Sequence, residues 1–187
     1  MTKKVFVVHG WDYNPQMHWY QWIRKELEKK GFTVIVPVMP NTSEPEINAW
    51  VSHLKNVVGK LNKETYFIGH SIGCQTILRY LEKEKYNGKI GTVILVAGWF
   101  RLDHLESNEV ATIAGPWIQT PIDFKKVRQK ISKLTVFLSR NEPYGCVESN
   151  AKTFREKLGA KVIIKKNKGH FTVEDGVKKL PEAVREF

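Results

Sequence analysis

Three residues far apart in the sequence have the types and settings for nucleophilic catalysis. Ser71 stands in Gly69-His70-Ser71-Ile72-Gly73, a G-x-S-x-G pentapeptide that follows the apolar run Thr65-Tyr66-Phe67-Ile68 and precedes a helix-like stretch from Cys74 to Lys83. A serine hydroxyl attacks poorly at its own pKa, so it needs a base to take its proton and donors to hold an oxyanion. A sharp strand-to-helix turn supplies that position, and flanking glycines let the chain fold tightly without a Cβ clash. The pentapeptide alone is a weak signal, because an N-cap serine in an ordinary turn reads the same way.

Of the six histidines, only His170 follows the last predicted strand, in a short Gly169-His170-Phe171 turn. That makes it the candidate general base. A third group must orient the imidazole and stabilise its cation. Glu142 is the carboxylate in the loop leaving the fifth predicted strand, Ser139-Arg140-Asn141-Glu142-Pro143-Tyr144; Asp123 and Asp103, from the preceding loop, are the alternatives. The backbone N–H of Ile72, just after the nucleophile, is one expected oxyanion donor. That of Trp11, behind His9-Gly10 at the end of the first strand, is the other. His9 either faces substrate or braces that loop. Trp99 and Trp117, with Trp11, fall in predicted mouth loops, where they line an acyl pocket or cover the sheet edge. Cys74 is expected to pack as a small buried residue. His9, His18 and His70 lack regular ligand spacing, so neither a metal nor a cofactor is expected.

The elements that must position these groups alternate along the chain. Val5–Val8 is a short, wholly apolar run, as in a strand buried on both faces of a parallel sheet. Trp19, Ile23 and Leu27 recur at helical spacing, and Gly31 is placed to end that helix. Thr33–Val36 is the second strand. Ile47, Trp50, Val51, Leu54, Val58 and Leu61 predict a second amphipathic helix, with Ser43 or Thr42 as its N-cap. The third strand delivers the pentapeptide. Thr92–Ala97, Leu134–Leu138 and Lys161–Ile164 are the remaining strands, with a helix around Ala151, Phe154 and Leu158 stopped by Gly159, and a short one opening at Pro181. From about Arg101 to Lys125 the periodicity fades around Pro116 and Pro121, which predicts a loop forming a small cap or rim. The pattern is that of a three-layer α/β/α sandwich, a doubly wound, mostly parallel six-stranded sheet in one domain spanning residues 1–187. In such sheets ligands bind beyond the carboxyl ends of the strands. His9-Gly10-Trp11, Ser71, Trp99, Glu142 and His170 all fall there, and the order serine, acid, histidine is the α/β-hydrolase order.

Composition narrows the class. A formal net charge of +11 is compatible with nucleic acid or acidic membranes, but the lysines are spread along the chain and interleaved with Glu, and no recognition helix, RNP or finger motif accompanies them. A solvated basic surface is expected instead, with no nucleic-acid and no membrane partner. The run Val5–Val8 is too short for a signal-peptide core, and no segment has the length and apolarity of a bilayer span. Cys74 and Cys146 form no C-x-x-C, which points to reduced thiols and a cytoplasmic location. Oligomeric state, monomer or dimer, is open at this level. The rival to an enzyme is a catalytically weak protein of the same fold that serves as a binding module.

Taken together, these residues resemble the small serine hydrolases of the RBBP9/YdeN family, within the α/β-hydrolase superfamily, over nearly the whole chain. The resemblance rests on Val8-His9-Gly10 with the downstream His18-Trp19 pair, on Gly69–Gly73, on Ser139–Tyr144, and on Gly169-His170-Phe171 followed by Gly176 and Pro181. It implies a compact α/β-hydrolase core without a large lid, a Ser-Asp-His triad, and esterase-like or aminopeptidase-like activity on a small-molecule acyl substrate. Ser71 and His170 match the family positions. Where the family usually has Asp before Pro, this chain has Glu142.

Overall fold

A computed structural model describes residues 2–187. Six strands, β1 (Lys4–Val8), β2 (Thr33–Ile35), β3 (Thr65–His70), β4 (Ile90–Val96), β5 (Ile131–Ser139) and β6 (Lys161–Lys165), form one sheet in the order β2-β1-β3-β4-β5-β6. Every neighbouring pair is parallel. The chain moves outward from β1 to β2, then crosses to the other side of β1 to build β3 through β6. Strands β1 and β3 therefore flank the point where the winding reverses, the place where an open α/β sheet leaves a crevice at its carboxyl edge. Register puts Val8 beside Gly69, so the ends of the His9-Gly10-Trp11 loop and of the Ser71 turn start as neighbours.

The continuous apolar runs follow from burial on both faces. In β1, Phe6 and Val8 pack into one core cluster with Trp50, Leu54, Ile77 and Phe154. Val5 and Val7 pack into the other with Ile23, Leu27, Leu180 and Ala183. Helices α2 (Ile47–Val58), α3 (Ile72–Lys83) and α6 (Val147–Leu158) thus cover one face, and α1 (Tyr20–Lys29) and α7 (Pro181–Val184) the other. Each fully buried Val, Ile or Leu contributes roughly 1.5–3 kcal/mol of transfer free energy, which is what selects the alternation of inward pointing directions along each strand. No helix among the described residues is long and apolar enough to cross a membrane.

Two expectations about elements are corrected. The stretch read as a loop between Arg101 and Lys125 contains α4 (Asn108–Gln119) and the start of α5 (Phe124–Gln129). Pro116 lies inside α4 and removes one backbone donor, which hides the helix from periodicity. Tertiary contacts hold the C-terminal end of α4. The buried Arg79 guanidinium of α3 donates to the carbonyl oxygens of Trp117 and Thr120, each at 2.8 Å, and the Trp117 indole N–H donates to Pro45 O. Neither Ser43 nor Thr42 caps α2; Glu46 occupies that position without a side-chain capping bond. The carbonyl oxygens of Thr42 and Ser43 are committed elsewhere, accepting from Asp12 N and from the Trp11 indole at 2.9 Å each.

Candidate active site

Ser71 sits between β3 and α3 with φ 55° and ψ −125°, in the left-handed half of backbone space that a non-glycine residue enters only under constraint. The constraint is visible. Ser71 N donates to Val96 O at 2.9 Å and Cys74 N donates to Ser71 O at 3.0 Å, so the turn is tied to β4 on one side and to its own helix on the other. The Ser71 hydroxyl makes no capping hydrogen bond to α3, which removes the ordinary-turn explanation of the motif. The flanking glycines serve close approach: a Cβ on Gly73 would strike the carbonyl oxygens of Val8 and His9, and one on Gly69 would stand 2.9 Å from the Cys74 backbone. Helix α3 is thereby drawn against the end of β1. Its first residue, Ile72, has a backbone N–H at a helix N-terminus, one of the donors that helical geometry leaves unpaired.

His170 Nδ1 lies 2.7 Å from Glu142 Oε1, with both side chains largely buried. In neutral His170 the carboxylate accepts from Nδ1–H, so the proton is on that nitrogen and Nε2 keeps its lone pair. Of the alternative acids, Asp123 caps α5, accepting from Lys126 N at 3.1 Å, and Asp103 packs beside Gly145 and Cys146. The structure brings neither to His170. Glu142 sits in a turn in which its N donates to Ser139 O, and the Tyr144 ring stands edge-on to the imidazole at 5.0 Å.

The loop carrying His170 is held by residues that the motifs alone do not announce. Asp175 Oδ2 accepts from His170 N at 2.8 Å and from Thr172 N at 3.1 Å, while Thr172 Oγ1 accepts from Asp175 N. This reciprocal pair has the hydrogen-bond pattern of a capping box, here closing a turn between β6 and α7. Asn141 Oδ1 accepts from the backbone of Lys168 and Gly169, each at 3.0 Å, joining the Glu142 loop to the His170 loop. The His18-Trp19 pair also has its place: the Trp19 indole donates to Phe171 O at 3.0 Å, and His18 Nδ1 accepts from Val173 N at 3.2 Å.

Ser71 and His170 open onto one cleft of about 220 Å³, walled by Trp11, Tyr13, Trp99 and Tyr144, with Leu102 and Leu105 among the residues of its rim. The stretch after β4 thus supplies a rim, as expected. Trp11 approaches because Gly10 has no side chain; a Cβ there would stand 3.2 Å from Ser71 Cβ and 2.7 Å from the Tyr13 ring. His9 and Trp117 do not line this cleft. His9 is fully buried, its Nδ1–H donating to Gly10 O and its Nε2 accepting from Met39 N; burial holds its pKa below the usual value of 6.5 despite the Gly10 carbonyl. It braces the loop. Trp117, in α4, is buried against Trp50, with its indole N–H donating to Pro45 O. Burial likewise raises the Cys74 thiol pKa, in keeping with a packing role.

The family described as serine hydrolase matches residues 5–187. The chain belongs to this family. Within it, the chain is 28% identical to the putative hydrolase YdeN of Bacillus subtilis over 97% of its own length and 92% of that protein's. The crystal structure of the B. subtilis ydeN gene product superposes with a TM-score of 0.88 at 26% identity, covering 98% and 96% of the two chains. It is also 25% identical to the serine hydrolase RBBP9 of Rattus norvegicus, over 82% of this chain and 77% of that one. A carboxylesterase structure from Nitrososphaera gargenis, at 13% identity and TM-score 0.71 over 98% and 88% of the chains, shares the fold. The expected resemblance to the RBBP9/YdeN serine hydrolases and the α/β-hydrolase architecture are thus both found.

Proposed function

We propose that this serine hydrolase cleaves a small carboxylic ester, or a related acyl bond, through an acyl-enzyme on Ser71. The observation that carries the reading is the 2.7 Å Glu142–His170 pair opening onto the same cleft as a strained serine whose hydroxyl is free of helix capping. His170 Nε2 takes the Ser71 proton as Oγ bonds to the acyl carbon. The carbonyl oxygen becomes an oxyanion facing the N–H groups of Ile72 and Trp11, whose positions are fixed before substrate arrives. Glu142 stabilises the imidazolium, which then protonates the leaving alcohol. Water repeats the sequence: His170 takes its proton, the hydroxide attacks the acyl carbon, and Ser71 leaves with its proton restored. Trp11 and Trp99 contribute apolar wall to the acyl pocket; His9 and Trp117 act behind it. The free thiols of Cys74 and Cys146 accord with a cytoplasmic setting.

The test is hydrolysis of a short p-nitrophenyl ester together with labelling by a fluorophosphonate probe. Wild type should be labelled and active. Ser71→Ala should lose labelling and at least about 10⁴-fold in kcat/KM. Equal turnover by the two proteins would reject the mechanism, and an unlabelled, inactive wild type would favour a binding module.

A further inference from the structure

His70, the residue just before the nucleophile, takes no part in the chemistry above, yet both nitrogens of its fully buried ring are committed. Its Nε2 lies 2.7 Å from the carbonyl oxygen of His170. A carbonyl only accepts, so Nε2 carries the proton. Nδ1 therefore offers a lone pair, and the Tyr20 hydroxyl, 2.6 Å away, donates to it. The Tyr20 oxygen in turn accepts from Gly10 N at 3.4 Å. Three hydrogen bonds in series thus run from the Gly10-Trp11 loop, through Tyr20 and His70, to the backbone of the base.

Every direction in that series is forced. Burial, reinforced by the nearby imidazoles of His170, His18 and His9, holds the His70 pKa well below 6.5, and burial holds that of Tyr20 well above 10.0. Both stay neutral, and the tautomer of His70 is fixed by its two partners. The carbonyl that His70 grips lies between Gly169 at φ 47° and Phe171 at φ 60°, so the peptide that orients the His170 side chain sits in a strained turn. Trp19 and His18 anchor the residues after it; His70 anchors His170 itself and is covalently joined to Ser71.

We propose that His70 and Tyr20 are positioning residues for acyl transfer, holding the oxyanion loop at Gly10-Trp11 and the base loop at His170 in one fixed relation to Ser71. The inference rests on the hydrolase reading of Ser71 and His170. It predicts a larger effect on kcat than on KM, because misplacing a base by a fraction of an ångström impairs proton transfer more than it weakens apolar contacts along the cleft.

Four variants test it on the short p-nitrophenyl ester: Tyr20→Phe, His70→Leu, His70→Gln and the double variant Tyr20→Phe/His70→Leu. Thermal unfolding of each sets an assay temperature at which all are folded. Tyr20→Phe should lose about tenfold in kcat and His70→Leu about a hundredfold, each with KM within about twofold of wild type. His70→Gln, whose amide can still donate to the His170 carbonyl and accept from Tyr20, should recover most of the loss. The double variant should be no worse than His70→Leu, because the bonds act in series. If His70→Leu fails to fold, Tyr20→Phe and His70→Gln carry the test. Folded Tyr20→Phe with wild-type kcat and wild-type fluorophosphonate labelling rate overturns the proposal, as does a lowered melting temperature with unchanged kcat. Failure of the hydrolase reading looks different: the wild type itself is then unlabelled, or Ser71→Ala remains active.

Discussion

Glu142→Gln isolates the contribution of the proposed acid, because the amide keeps the side chain's shape and removes its charge. Glu142 Oε1 lies 2.7 Å from His170 Nδ1, with side-chain exposures of 12% and 8%. At an effective dielectric of about 20, a full positive charge on His170 at that separation is worth roughly 6 kcal/mol. Solvent near the cleft mouth and the residual dipole of the amide reduce the difference between the variants to about 4 kcal/mol, or about a thousandfold in kcat. In the proposed mechanism the charge that Glu142 stabilises develops as the serine proton is transferred, and Glu142 does not line the cleft onto which Ser71 and His170 open. KM should therefore stay within about threefold of wild type while kcat falls. Glu142→Asp, one methylene shorter, keeps the charge but opens a gap of about 1.5 Å and should lose about 10- to 100-fold. Steady-state kinetics on the p-nitrophenyl ester, with melting temperatures measured alongside, read all of this. A folded Glu142→Gln protein with kcat within tenfold of wild type would show that the carboxylate does not stabilise the imidazolium, and the assignment would fall.

Two further outcomes follow from the geometry. Gly73→Ala drives a methyl group into the Val8 and His9 carbonyl oxygens, backbone atoms that cannot swing aside; the cost should be about 3 kcal/mol, seen as a drop of roughly 6–12 °C in Tm, and a Tm unchanged within about 2 °C would contradict the packing. Stability should also fall on mild acidification. Burial lowers the pKa of His9, His18 and His70 from 6.5, so below that value the unfolded chain takes up protons that the native state resists. The stability they confer is whole above pH 6.5 and is lost as pH drops toward their folded values, by up to about 1.4 kcal/mol per pH unit for each ring. Urea unfolding at about pH 7.5 and about pH 5.5 measures it, and equal stability at the two values would refute the assignment of three neutral buried imidazoles.

Much of this architecture was written locally. The apolar runs at Val5–Val8 and Thr92–Val96 have the composition of doubly buried strands, Gly159 ends its helix at φ 65°, and Pro181 opens the last one, all features that depend on a few consecutive residues. Helix α4 was not legible, because Pro116 breaks its pattern and the contacts that hold its C-terminal end come from Arg79, far back in the chain. Nor was the start of α2, because Thr42 and Ser43 are tied through their carbonyl oxygens to the Trp11-Asp12 loop, ahead of the helix's N-cap position at Glu46.

The same division runs through the site. The sequence by itself determined the residue types and their order: Ser71 in a glycine-flanked turn, a carboxylate after a later strand, and His170 after the last. Convergence is a property of the parallel sheet, which sends all of those loops to one edge, and alternating strands and helices suffice to announce it. Which carboxylate reaches the imidazole, which tryptophans face the cleft and which histidines stay neutral were decided only by tertiary structure. Those outcomes depend on distances of a few ångströms between residues as far apart as His70 and His170, set by packing and by backbone hydrogen bonds that no local pattern encodes.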